Sequence, residues 1–341
     1  MDRGTDHSRG FLNKVSKPQV ALPGEAVKIG GMKQVIPLAL GSLFLLSISS
    51  PGAEPERLTW APPALENPIT IEITNVNRSV KLDADHDYII QMPQKITASG
   101  GVSINARGAR NIVLIGGEIE VGDAGEYVND SAFGNKRRAL NIVGWKGTFH
   151  IEGLWIHGDD LAEGIDVDTR TPGAILQIQN MRVDNVHSRP EEIQMDWKCH
   201  HHPDIIQNWG GPTQYRIDRL TGYTDYQGFM LQPTQFSEEM VTELCDMRNM
   251  DLHASNQDNG GAYLIFWAGA PKSIKAFQFK NVWLEPRKDQ ERRGGAFPEK
   301  DAAWHDIDLG APPDGNFVPE GVAGINYVSP GYENADKTAQ K

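Results

Sequence analysis

The chain has 341 residues, 39% of them hydrophobic, with 33 Lys and Arg against 45 Asp and Glu, giving a formal charge of −12. An acidic chain with no Lys/Arg stripe lacks the counterion-releasing surface that nucleic acids require, and anionic lipid headgroups repel it, so nucleic-acid and membrane-surface roles are excluded. The 35 Gly and 21 Pro argue against a coiled coil, and the regular apolar content argues against broad disorder.

Residues 1–31 precede a second methionine, Met32, and are read as a disordered, mis-called upstream start. Residues 32–53 carry Lys33, the apolar run Val35–Ile48 and then Ser, Gly and Ala, the pattern of a secretory signal peptide. The run is shorter than the roughly 20 residues a membrane span needs, so a secreted or periplasmic protein with no membrane attachment after cleavage is expected. Residues 54–68 read as a linker. Cys199 and Cys245 leave two outcomes open, one disulfide in an oxidising compartment or two buried thiols.

From residue 69 onward the apolar residues alternate at period two, with Ser237–Asp246 the single stretch predicted as a short helix. A unit of apolar, any, apolar, any, turn-prone, apolar, any, apolar recurs. It runs Phe149–Ile156, Leu176–Val183 and Phe277–Leu284, with degraded copies at Tyr215–Leu220 and Met247–Leu252. The equivalent positions Leu154, Met181, Leu220, Met250 and Val282 lie 27, 39, 30 and 32 residues apart. A second short strand follows each unit, at Gly164–Asp168, Asp204–Gln207, Gly228–Gln232 and Ala262–Trp267. Earlier turns are read in Val80–Leu82, Tyr88–Ile90 and Asn111–Ile119. Two strand types alternating without helices between them predict an all-β chain wound as a right-handed parallel β-helix over residues 69–287. One turn cannot bury its own apolar face, whereas stacked turns bury a continuous column. An antiparallel sandwich is the alternative, disfavoured by the constant internal order and the missing Asn-Gly hairpin signals. Residues 288–341 break the pattern and read as a loop-rich cap and tail.

In this repeat style, and in the stretches Arg110–Glu118 and His202–Gln207, the chain resembles the right-handed parallel β-helix proteins of the pectate-lyase-like superfamily. The resemblance implies an exported carbohydrate-active or polysaccharide-binding protein. That group spans lyases, polygalacturonases, epimerases and tailspikes, and no single family's catalytic signature is intact here, so the resemblance selects no one chemistry.

Outward residues on successive turns form ladders at roughly 4.8 Å per step, suited to an extended sugar chain. The second strands offer Asp166, Asp168, Asp204, Gln207, Gln232 and Trp267, beside the insertion Ser188–His202 with its three His, Arg189 and Lys198. A lyase needs a cation for the uronate, a base and an acid, roles that Arg189, Lys198 and His202 can divide. A hydrolase needs two carboxylates about 5 to 9.5 Å apart, and Asp204 with Asp166 or Asp168 supplies that pair. Ca²⁺ on Asp166 and Asp168 is a further candidate. Trp209, Tyr226 and Trp267 are candidate sugar contacts, with Gln207 and Gln232 as hydrogen-bonding partners.

Each has a duller explanation: a solvated histidine loop, an Asx turn at Asp204, ordinary outward aspartates, a structural glutamine stack, core tryptophans, a turn tyrosine. The expectation is an exported protein acting on or binding an extended polysaccharide, lyase chemistry ahead of hydrolysis. The alternative is a non-catalytic glycan-binding surface protein. The net acidity counts against polyuronates as partners.

Overall fold

The computed structural model describes residues 56–195, 201–255, 262–288 and 294–335. The signal-peptide and upstream-start expectations, and the residues Lys198 and Cys199, lie outside the described residues. Among the described residues no helix is long and apolar enough to cross a membrane.

The chain is all-β, built on two long parallel sheets of twelve and eight strands among the described residues. It visits them in turn. Thr148–Glu152 and Trp155–His157 lie in the first sheet, Glu163–Asp168 in the second, and Ile175–Val186 returns to the first. Asp204–Gly210, Gln214–Thr224, Gln227–Leu231, Leu244–Ala254, Ile265–Trp267 and Phe277–Glu285 continue the alternation. Each circuit therefore leaves one strand in the second sheet and a strand with two legs in the first.

The bend between those legs falls on the turn-prone position of the repeat. Gly153, Asn180, Arg219, Asn249 and Asn281 all have positive φ, a conformation that Gly and Asn adopt at least cost. The predicted equivalences hold in the register: Met181, Leu220, Met250 and Val282 pair strand to strand. Leu154 precedes Trp155, which pairs with Arg182. On the second sheet Leu140, Ile165, Ile206, Phe229 and Ile265 form the facing column. All of these are fully buried. Period two thus becomes a dry interior between the sheets because every second side chain points inward.

The helix predicted at Ser237–Asp246 does not form. Thr242 bridges to Ile274, and Leu244 already begins a strand in which the Cys245 N–H donates to Ala276 O at 2.9 Å. A helix there would forfeit these bonds and the core position of Cys245, a buried thiol whose pKa burial pushes up. Among the described residues the α-helices Ser131–Lys136 and Pro190–Gln194 sit in insertions between the sheets. Past residue 287, Ala296–Phe297 extends the second sheet and Ile307–Leu309 the first.

The segments flanking the repeat lie against the outside of the first sheet. The N–H groups of Thr59 and Trp60 donate to Asp218 and Gln179, and the Gln177 amide donates to Ala61 O. Leu58 bridges to Tyr332, whose hydroxyl donates to Glu152, as does that of Tyr327. Burial pushes the Glu152 carboxyl up, but the bonds from His150, Tyr332 and Tyr327 outweigh it and hold the pKa below the usual range. On the other leg, Phe317 N–H donates to Asp251, Val318 N–H to Thr221, and Arg182 to Val318 O.

The column of stacked side chains makes a direct prediction. Leu220→Ala opens a cavity in the middle of the stack and should cost about 2–5 kcal/mol in urea unfolding. Val76→Ala, at a position 96% exposed, should stay within about 0.5 kcal/mol of the parent. Equal, small effects would contradict the described core.

Candidate functional site

The outward polar groups of the two sheets have different fates. Those of the first sheet are largely occupied by the flanking segments or by one another, Arg219 Nε being left over among the described residues. A groove there, about 620 Å³ and lined by Glu120, Trp155, His157, Asp184 and Glu320, follows the same rule. Glu120 pairs with Lys95 at 2.7 Å, Asp184 with Arg182 at 2.7 Å, and His157 with Glu118 at 3.1 Å. On the second sheet, by contrast, both oxygens of Asp166, both oxygens of Asp204, Oε1 of Gln207 and Nε2 of Gln227 are buried without a hydrogen-bond partner. An unmet buried polar atom costs about 1–3 kcal/mol, so a concentration of them on one face marks a place where something other than folding shaped the sequence.

Two registered rows build this cluster. In the first, Arg138, Glu163, Asp204 and Gln227 follow one another on four adjacent strands. In the second, Ser103, Asn141, Asp166, Gln207 and Met230 do the same. Parallel stacking brings Glu163 and Asp204 to neighbouring rungs roughly 4.8 Å apart, although 41 residues separate them. Gly164 lets the strands approach, since a Cβ there would sit 2.5 Å from Ile205 O.

Arg138 is the cation of the cluster. Its Nε donates to Glu163 and lies 2.8 Å from Asp166 Oδ2, a contact with the distance of an ion pair but not the geometry of a hydrogen bond. Its guanidinium lies 4.9 Å over the ring of Trp209, which is half-buried. Burial opposes the charge of Arg138, but Asp166 and Glu163 outweigh it and raise its pKa. One guanidinium does not serve three carboxyls. Burial drives the Asp204 carboxyl well above the usual range, and Glu163 beside it adds to the shift. Asp166 moves the same way, through burial first and then Glu163, with Arg138 opposing. The face therefore holds carboxyl groups that keep their protons where an exposed aspartate has lost its own.

The insertions that flank this sheet form a wall. Arg137, fully buried, bonds Asp160 and Glu192, and Glu192 also meets His201. Tyr127, Phe133 and His201 pack edge-on or tilted within 5.5 Å of one another. Arg189, expected to bind substrate, belongs to this wall. It holds Asp160 through Nε at 2.9 Å and lies 4.9 Å over Phe133, so it offers no unshared charge to a ligand.

Of the other expected residues, Asp166, Asp204, Gln207 and Trp209 are brought together. His202 and Tyr226 stack, centroids 5.6 Å apart, His202 two residues before the Asp204 strand and Tyr226 one before the Gln227 strand. Gln232 lies half-buried one residue past its strand, its N–H donating to Asn208 O. Trp267 corrects the expectation. It points inward, packs against Phe277 and donates its indole N–H to Ser273 Oγ at 2.8 Å, out of reach of a surface ligand. Asp168 pairs with Arg170 at 2.7 Å, and among the described residues no group of three or more His, Cys, Asp or Glu is arranged to hold a metal ion. Calcium on Asp166 and Asp168 gains no support from this geometry.

Arg138, Glu163 and Gln227 escaped the sequence reading. Glu163 stands one residue before the strand as read from Gly164, and Gln227 one before the strand read from Gly228. Arg138–Val143 alternates as the other second strands do, but the insertion carrying the helix Ser131–Lys136 displaces it from the repeat spacing. Comparison with family models, with curated proteins and with solved structures returns no match.

The raised carboxyl pKa has a sign that can be checked. An aspartate of the unfolded chain titrates near pH ~3.9, whereas folded Asp204 keeps its proton to higher pH. Between those values the folded state binds the extra proton, so stability falls as pH rises, by up to about 1.4 kcal/mol per pH unit for one group. Asp204→Asn should flatten the slope by about one proton and be at least as stable as the parent at neutral pH. Urea unfolding across a pH series reads this directly, and superimposable slopes would refute the assignment.

Proposed function

We propose that this chain is an exported right-handed parallel β-helix of the pectate-lyase-like kind that takes an extended polysaccharide along its second sheet and cleaves it by hydrolysis. Export is supported by the apolar run Val35–Ile48 behind Lys33. The wound form is supported by uniformly parallel pairing between alternating sheets, whose crossovers are right-handed in almost all proteins. The observation that carries the chemistry is the buried carboxyl of Asp204, without a hydrogen-bond partner and one rung from Glu163, which pairs with Arg138; burial and Glu163 both push the Asp204 pKa up.

Glycoside hydrolysis needs a carboxyl that still holds a proton for the leaving oxygen and a second carboxylate to act on, or to activate water toward, the anomeric carbon. Asp204 suits the first role and Glu163 the second, with Asp166 as a neighbour. Elimination from a uronate instead needs an uncommitted cation, and of the cations proposed for that role or found at the site Arg138 and Arg189 are, among the described residues, held by carboxylates, while Lys198 lies outside them. Hydrolysis is therefore favoured over a lyase reaction. A ligand reaches the carboxyls by displacing Arg138, the partly exposed member of the set, from Trp209. The complete burial of Asp204 favours a second reading, a glycan binder that does not cleave.

Incubating the purified protein with neutral and uronate polysaccharides, with and without Ca²⁺, separates these outcomes. Hydrolysis predicts new reducing ends without the absorbance of unsaturated sugars. Glu163→Gln and Asp204→Asn should each lower the rate by roughly 100-fold or more. Binding without new ends selects the non-cleaving reading, unsaturated product selects the lyase, and the absence of binding to every polysaccharide would remove the proposal.

A further inference from the structure

The row that carries Asp166 and Gln207 does not end with them. Register continues it through Met230, Phe266 and Phe297, each outward-facing and half-buried, while Phe229, Leu231 and Ile265 between them point into the core. The rings of Phe266 and Phe297 stack at 4.9 Å with planes 13° apart, and Tyr263 leans on both, its centroid 5.4 Å from Phe297 and 6.4 Å from Phe266. One straight line on the outer surface thus passes from Asp166 and Gln207 to an apolar strip. Outward positions on a solvated sheet face are ordinarily polar, as Ser103 and Asn141 are earlier on the same row. An apolar strip in register with a polar site is a feature of binding surfaces rather than of solvated ones.

We infer that Met230, Phe266 and Phe297 form a distal subsite for an uncharged sugar of the same chain whose bond lies at Asp204 and Glu163. This rests on the reading of those carboxyls as a glycan site. Phe266 stands two strands beyond Asp204 and Phe297 three, roughly 10 and 14 Å along the row at the usual strand spacing. An extended sugar chain advances by about one sugar per strand, so the subsite meets units two to three places from the bond. The strip offers ring edges and a thioether, which shed water readily against the C–H face of a pyranose.

The same strip excludes a uronate. Between Asn141 and Phe297 the row carries no basic side chain, and a carboxylate laid on Met230 or Phe266 would lose its water without a partner. Asp166 sits close by, and the chain as a whole is acidic. The ligand class is consequently a neutral polysaccharide, engaged over at least about four units.

The test uses the full chain with cello- and xylo-oligosaccharides and oligogalacturonates of two to six units, with affinity measured by calorimetry. Affinity for a neutral series should rise with length and level off near about four or five units. Phe266→Ala and Phe297→Ala should weaken the five-unit ligand by about tenfold and the two-unit ligand by less than about twofold. Phe266→Leu, which keeps the apolar volume, should retain most of the affinity, which separates loss of the strip from loss of the fold. Length-independent affinity, equal losses at every length, or a preference for oligogalacturonates would overturn the subsite while leaving the glycan site standing. Failure of every oligosaccharide to bind would instead remove the glycan site itself, and the subsite with it.

Discussion

Stacking parallel strands in register imposes one constraint on everything outside the core: an outward side chain has its counterpart on the next turn at a fixed, short distance. Polar groups held that close to a sheet must find partners, because their own backbone is committed to the ladder and part of their solvent is gone. The first sheet meets the requirement with the chain itself. Residues 58–61 lie along one leg, residues 317–318 along the other, and Glu152 draws in two tyrosines from the C-terminal segment. The second sheet leaves it unmet at Asp166, Asp204, Gln207 and Gln227. That asymmetry, rather than any one residue type, distinguishes the candidate site from the other grooves.

The stacking of parallel strands was legible in the sequence because a repeat that must place Leu154, Met181, Leu220, Met250 and Val282 in one column has little freedom in what it writes there. The turn-prone position was legible for the same reason, since positive φ at Gly153, Asn180, Asn249 and Asn281 restricts the residue type. What failed did so where local pattern and stacking disagree. Ser237–Asp246 has helical spacing, but Cys245 is claimed by the strand ladder. Trp267 alternates like an outward residue if its strand is counted from Ala262. Counted from Ile265, where pairing begins, it faces the core.

The site was half legible. Asp166, Asp204 and Gln207 came from alternation in single strands, which needs no knowledge of register, and Trp209 from its place beside the ionisable insertion. Arg138 and Glu163 become visible only when the strands are laid side by side, and no spacing in the sequence announces that Arg138 spans two carboxyls. Arg189 shows the converse. Its neighbourhood of ionisable groups looked catalytic, yet those groups pair with one another to hold two insertions together, as buried ion networks do when every member is satisfied.

The central claim is therefore about a proton: burial and Glu163 drive Asp204 toward its acid form, on the face where buried polar groups without partners concentrate. Isotope-edited infrared spectroscopy of aspartate-labelled protein observes this without assuming any substrate. The account predicts a carbonyl band of a protonated, non-hydrogen-bonded carboxyl at neutral pH that disappears in Asp204→Asn. A spectrum in which every aspartate is ionised at neutral pH would contradict it.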